Sequence, residues 1–198
     1  MSAAQKLNRI SIDDYLAGEL ESSTKHEYLA GFVYAMAGAR NEHNLIASNI
    51  LIAIGSRLTR QSCRAYNSDT KVRIQLTTGT RFYYPDVQIV CQPNRPTESF
   101  QDNPSVLVEV LSRGTRRIDE GEKKDAYMSI PTLRVYLLVE PEIPAVVAYR
   151  RGEAGFVREV HEGIDAVVSL PEVGVDLSLA AVYGGVEFVP EEDSQDNA

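Results

Sequence analysis

Two acidic residues, Asp86 and Glu109, each stand inside an apolar run of the kind that forms a buried strand. The first run is Tyr83-Tyr84-Pro85-Asp86-Val87-Gln88-Ile89-Val90 and the second is Val106-Leu107-Val108-Glu109-Val110-Leu111. A carboxylate in such a place sheds much of its hydration, which costs several kcal/mol unless a cation or hydrogen bonds compensate. The chain therefore has to fold so that something positive reaches both acids. Strand alternation puts Asp86, Gln88 and Val90 on one face and Val87 and Ile89 on the other, while Glu109 shares a face with Leu107 and Leu111. If the two strands are neighbours, the acids approach closely enough to share one divalent cation.

The surrounding pattern supplies a scaffold for such strands. Ser11 is placed to cap a short helix carrying Ile12, Tyr15, Leu16 and Leu20, with Asp14 at the capping-box position. Glu27-Tyr28-Leu29 and Phe32-Val33-Tyr34 flank Ala30-Gly31, a two-residue hairpin connection. From Asn41 to Arg60, Leu45, Ile46, Asn49, Ile50, Ala53, Ile54 and Leu58 recur at three- and four-residue steps and predict a long helix. The period then changes to two over Lys71 to Leu76, as in a half-exposed strand. A loop from Gln92 to Pro104 leads into the Glu109 strand, and a helix is expected over Asp119 to Ser129, stopped by Pro131. Further strands are expected near 135–139, 146–149, 156–160 and 166–170.

This order predicts an α/β fold with one central mixed sheet flanked by helices, and a right-handed parallel crossover from the Glu109 strand to the Val135 strand. With no internal repeat and no linker, residues 1–189 read as a single domain. Residues 190–198, with Glu191, Glu192, Asp193 and Asp196, read as a disordered acidic tail. The formal net charge is -8, so the chain as a whole does not attract nucleic acid; polyanion binding would need a local basic patch or a bound metal. Cys63 and Cys91 belong to no CxxC pair and read as reduced packing cysteines in a cytoplasmic protein. The polar opening and the lack of a long apolar segment predict no signal peptide and no membrane association.

The chemistry around the acids can be read further. Oxygen ligands of this kind suit Mg²⁺ or Mn²⁺, and the Val110 carbonyl is a further candidate ligand. Asp119, Lys123 and Tyr127 are four residues apart and share a helix face, so Lys123 is the better candidate to aim at the site, with Lys124 rotated toward solvent. Arg113, Arg116 and Arg117 form a basic cluster beside it, either a phosphate contact or surface charge balance. Arg116 is also a candidate partner for Glu109, the bland reading of a buried glutamate. His43 stands where it either orients a ligand or makes a local hydrogen bond at a helix start.

The segments Tyr84-Pro85-Asp86-Val87 and Val108-Glu109-Val110-Leu111-Ser112, followed by Arg117, Asp119, Lys123, Tyr127 and Val135-Tyr136-Leu137-Leu138-Val139, resemble the Uma-type restriction endonuclease family of bacteria, within the PD-(D/E)XK nuclease superfamily. The similarity runs from Ser11 to Phe188 and includes His26-Glu27-Tyr28 with Gly31 and His43-Asn44. The resemblance implies a restriction-endonuclease-like core and metal-dependent hydrolysis of phosphodiesters, in DNA by expectation. It implies Asp86 and Glu109 as metal ligands, and a homodimer whose two sites address two strands. The usual lysine two residues after the second acid is here Leu111, so the family's lysine would be Lys123 on the following helix. An early acid often joins such sites; Glu27 and Glu42 are possible, Glu27 the better on motif grounds. The missing lysine and the acidic net charge leave a second reading, a binding module on the same fold that cleaves weakly or not at all.

Overall fold

The computed structural model describes residues 9–58 and 62–188. Its first helix, α1 (Ile12–Glu21), starts where Ser11 Oγ accepts the Asp14 amide at 3.1 Å. The hairpin β1 (His26–Leu29) and β2 (Phe32–Ala35) turns at Ala30 and Gly31, whose φ values of 51° and 103° are the two positive ones that a tight hairpin turn requires. Then come α2 (Asn41–Gly55), β3 (Arg64–Asn67), β4 (Lys71–Leu76), β5 (Gly79–Tyr83), β6 (Val87–Val90), β7 (Phe100–Gln101) and β8 (Pro104–Val110). Two short helices, α3 (Arg116–Asp119) and α4 (Glu122–Met128), lead to β9 (Val135–Val139), β10 (Ala145–Gly152), β11 (Gly155–Glu162), β12 (Val167–Leu170), β13 (Val175–Ser178) and α5 (Leu179–Val182).

Six strands in the order β11-β10-β9-β8-β6-β3 form the mixed central sheet, with β8 and β9 parallel across the α3–α4 crossover and the other pairs antiparallel. The expectation of one sheet is incomplete. A second sheet has the order β2-β1-β5-β4-β7, and β12 pairs with β13 in a separate hairpin. The run from Tyr83 to Val90, expected as one strand, is divided between the sheets: Tyr83 ends β5 and Val87 begins β6. Pro85 is the reason, because it brings no amide donor to a ladder and restricts the residue before it. Asp86 therefore sits in a corner that belongs to neither sheet and is half-buried, whereas Glu109 lies within β8 and is buried.

Strand alternation divides the core as expected. Val87, Ile89, Val106, Val108 and Val110 face α2, α5 and β13, and Leu107, Leu111, Tyr127, Tyr136 and Leu138 fill the opposite side beneath α4. A smaller aromatic cluster of Tyr15, Tyr28, Phe82 and Phe100 joins α1 to the second sheet.

Other expectations are corrected. α2 ends at Gly55; Arg60 lies outside the described residues, as does the acidic tail 190–198. The helix expected over Asp119 to Ser129 is two helices broken at Glu120-Gly121, where a Cβ on Gly121 would lie 2.8 Å from the Arg117 carbonyl oxygen. The cysteines are not reduced: Cys63 and Cys91 form a disulfide. The register that sets Arg64 opposite Val90 brings the two cysteines face to face across β3 and β6. Among the described residues, no helix is long and apolar enough to cross a membrane.

Candidate active site

The antiparallel register of β6 and β8 pairs Val87 with Val108, so Asp86, one residue ahead of β6, comes to the Glu109–Val110 end of β8. Asp86 Oδ2 accepts the Val110 amide at 2.7 Å, and Oδ1 lies 3.0 Å from His43 Nε2 in the first turn of α2. Amide and carbonyl of one strand residue point to the same neighbouring strand, so the Val110 carbonyl also faces the Asp86 side. The Nδ1 atom of His43 is buried with no hydrogen-bond partner among the described residues.

Lys123 enters from the start of α4. Its Nζ lies 2.8 Å from Glu109 Oε1, 3.3 Å from Glu27 Oε1 and 3.6 Å from Asp119 Oδ1. Tyr127, one turn further on, donates its hydroxyl to the same Glu109 Oε1 at 2.8 Å. The faces of Tyr83 and Tyr127 flank the ammonium, and Tyr136 donates to the Asp119 main-chain oxygen at 3.1 Å. Glu109, Asp119 and Lys123 are 4%, 3% and 6% exposed. The break at Gly121 places Asp119 at the end of one helix and Lys123 at the start of the next, so both converge on β8 from a bent rather than a straight element.

Three carboxylates, Glu27, Glu109 and Asp119, thus surround one ammonium, and Asp86 beside them is held by His43 and the Val110 amide. Burial pushes the Glu109 carboxyl well above its ordinary range; Lys123 opposes this, and Asp86 and Asp119 add to it. Asp119 is raised by burial as well, against the pull of Lys123. Burial works against the Lys123 charge, but Glu109, Glu27 and Asp119 outweigh it and hold the ammonium above its usual range. Burial, then the field of Glu109, pushes up the Tyr127 and Tyr136 hydroxyls. Burial alone raises acids and tyrosines, so the excess of negative charge in the pocket shows in Lys123, whose shift is upward against burial.

Among the described residues, no group of three or more His, Cys, Asp or Glu side chains is arranged to hold a metal by itself. The donor set nevertheless fits a hard divalent ion that keeps most of its waters and takes one or two carboxylates. Both contacts of Glu109 fall on Oε1, and Asp86, just ahead of β6, is tied to the next residue of β8 through the Val110 amide.

The other residues singled out by the sequence are distributed differently. Glu42 lies in the first turn of α2, with no hydrogen bond or ion pair to the cluster among the described residues. Lys124 is half-buried over the Tyr149 ring instead of facing solvent. Arg116 pairs with Glu140 through two contacts of 2.7 and 2.6 Å, not with Glu109, and Arg113 reaches Glu142 at 3.3 Å. Arg117 is exposed. Glu19 of α1, which takes hydrogen bonds from both His26 and Tyr84, escaped the sequence reading. The available signal was an acid four residues after Tyr15, on the helix stripe that turns inward.

Comparison with known proteins accounts for nearly the whole chain. Residues 12–181 match the model of the family Uma2, described as "Putative restriction endonuclease". The uncharacterized protein slr1290 of Synechocystis sp. (strain ATCC 27184 / PCC 6803 / Kazusa) is 30% identical over 181 residues, covering 91% of this chain and 94% of its own. The uncharacterized protein sll1609 of the same strain is 28% identical over 141 residues, 70% of this chain and 78% of its own. Among solved structures, a putative nuclease belonging to DUF820 from Anabaena variabilis ATCC 29413 superposes with a TM-score of 0.66 over 85% of this chain and 96% of that one. At 19% identity that likeness shows the fold, a restriction-endonuclease-like α/β core. The family match, spanning both acids, the lysine and the strands that carry them, places this chain in the Uma2 family of putative restriction endonucleases.

Proposed function

We propose that the chain is a divalent-metal-dependent endonuclease that hydrolyses phosphodiester bonds in DNA. Asp86 and Glu109 hold Mg²⁺, or Mn²⁺ in its place, with the Val110 carbonyl as a further ligand. The observation that carries this reading is the Lys123 ammonium 2.8 Å from Glu109, in a chain whose residue 111 is a buried leucine. A bound divalent ion supplies Lewis acidity toward the phosphoryl oxygens and a nucleophilic water at neutral pH.

The protein's own groups do the rest. Lys123 presents a fixed positive charge to the negative charge that develops on the phosphoryl group. Glu27 and Asp119 keep that lysine protonated and aimed. Tyr127 holds Oε1 of Glu109 and thereby orients the carboxylate, while His43 and the Val110 amide hold the two oxygens of Asp86. Exposed Arg117, with Arg113 and Arg116, contacts the backbone of the substrate beside the site, since a chain of net charge -8 needs local contacts to hold a polyanion. A homodimer would let two such sites address two strands. We assign residues 1–189 to one domain and, from the family alone, the protein to the cytoplasm, although the Cys63–Cys91 disulfide is uncommon in that compartment.

The test is cleavage of supercoiled, linear and single-stranded DNA, and of RNA, by purified protein with Mg²⁺, Mn²⁺ or chelator. Asp86→Ala, Glu109→Ala and Lys123→Ala are each expected to lose activity by about 10²-fold or more. Cleavage that persists unchanged in both acid variants would mark a contaminant and end the enzyme reading. Nucleic-acid binding without cleavage by the wild type under every metal condition would leave the binding module.

A further inference from the structure

Away from Lys123, a second buried polar network joins α1 to two of the chain segments that bring acids to the site, those of Glu27 and Asp86. Its centre is Glu19, whose side chain is 5% exposed. Oε1 lies 2.8 Å from His26 Nδ1, Oε2 accepts the His26 amide at 3.2 Å, and Oε2 also accepts the Tyr84 hydroxyl. Tyr84 in turn accepts from Lys71 Nζ at 3.1 Å, a lysine only 3% exposed, and its ring face lies beneath both Lys71 and Lys25. Tyr15 of the same helix closes the network by donating to the His26 carbonyl at 2.6 Å.

The two partners of Glu19 are not arbitrary. His26 directly precedes Glu27, and successive strand residues face opposite ways, so holding His26 toward α1 directs Glu27 toward Lys123. Tyr84 stands two residues before Asp86, in the corner between β5 and β6 where no ladder fixes the chain. The position of Asp86 therefore depends on what grips the two ends of that corner, Tyr84 on one side and Val87 in β6 on the other. A buried carboxylate that accepts several hydrogen bonds gives strong, directional contacts, which an apolar side chain in the same space would not.

We propose that Glu19 is a positioning residue: a single carboxylate of α1 that, by gripping His26 and Tyr84 together, sets the separation of Glu27 and Asp86 and so shapes the divalent-metal site. The inference rests on the metal-site reading above. It assigns Glu19 no contact with substrate or metal. Its effect passes through the backbone of two neighbouring segments.

The test compares the full-length wild type with Glu19→Ala, Glu19→Gln and, as a control for stability alone, Leu179→Ala in α5 on the far side of the central sheet. Two quantities are read: Mn²⁺ affinity by calorimetry, and hydrogen exchange of residues 25–28 and 83–87 in the metal-free protein. Glu19→Ala is expected to weaken Mn²⁺ binding by about tenfold or more, the range in which partners of metal ligands act, and to raise exchange in both segments together. Glu19→Gln keeps an oxygen that accepts the Tyr84 hydroxyl and is expected to recover most of both losses. Leu179→Ala lowers thermal stability yet leaves Mn²⁺ affinity and those segments as in the wild type.

Unchanged Mn²⁺ affinity in Glu19→Ala, or a loss that merely follows melting temperature in the same proportion as Leu179→Ala, would overturn the proposal. If Glu19→Ala does not fold, Tyr84→Phe, which removes only the hydroxyl, is read in the same two ways and decides in its place. A wild type that binds no Mn²⁺ would refute the metal reading instead; the exchange data then still decide whether Glu19 couples the two segments, since opening confined to α1 in Glu19→Ala overturns that coupling.

Discussion

A lysine surrounded by three carboxylates and two aromatic faces keeps its proton because the acids outweigh the loss of water around it. Removing that charge leaves Glu109 and Asp119 buried against each other. Lys123→Met is thus expected to cost stability as well as turnover, about 3 kcal/mol as for one partner of a buried pair, with part of the loss restored by Mg²⁺; urea unfolding with and without the ion measures both. Glu19 gives the opposite pH behaviour to the site acids. Burial pushes its carboxyl up, but hydrogen bonds from Tyr84 and His26 outweigh that and leave it below its ordinary range. A carboxyl lowered by folding stabilises the native state above its unfolded pKa, and the benefit disappears as pH falls through the folded value. The melting-temperature gap between wild type and Glu19→Gln should therefore be constant near neutrality and close below about pH 4. At this scale the grouping was legible in the sequence: it singled out Asp86, Glu109, Lys123, Asp119, Tyr127, Glu27 and His43, and the fold brings them near one another. Glu19 was not legible, because its partners lie 7 and 65 residues away in the chain.

The elements show why periodicity reads well and junctions read poorly. α2 and the central strands β8, β9 and β10 follow from apolar spacing, since each buries one face or both, whereas β3, with no buried residue, carries no such pattern and was not expected. Three details escaped that logic: the corner at Pro85, the break at Gly121 and the face-to-face cysteines of β3 and β6. Each depends on a close approach or a register that no local pattern encodes. The break carries a prediction of its own. Gly121→Ala sets a methyl group 2.8 Å from the Arg117 carbonyl oxygen, a backbone atom that can yield only if α3 and α4 separate. A loss of about 1–3 kcal/mol is expected, with weaker Mn²⁺ binding because Lys123 begins the displaced helix; denaturation and calorimetry read the two effects. Reduction of the Cys63–Cys91 bridge, which closes a loop of 28 residues, should cost about 2–4 kcal/mol, visible as a lower melting temperature with thiol present.

Over the whole molecule, the site is shared between two sheets. Glu27 comes from the five-stranded sheet, Glu109 from the six-stranded sheet and Asp86 from the corner that joins them. The central sheet carries the larger core; the second sheet shares the core beneath α4 through Val72, Ile74 and Tyr83, and its other face has only the small aromatic cluster beneath α1. Regions with fewer buried apolar contacts open at lower free energy than the global transition. Rising urea should accordingly abolish DNA cleavage at a lower concentration than it abolishes the far-ultraviolet circular dichroism signal; coincident midpoints would refute this. If the chain cleaves DNA as proposed, a site assembled across such a seam has a built-in fuse: slight loosening at the margin would silence it while the bulk of the chain stays folded.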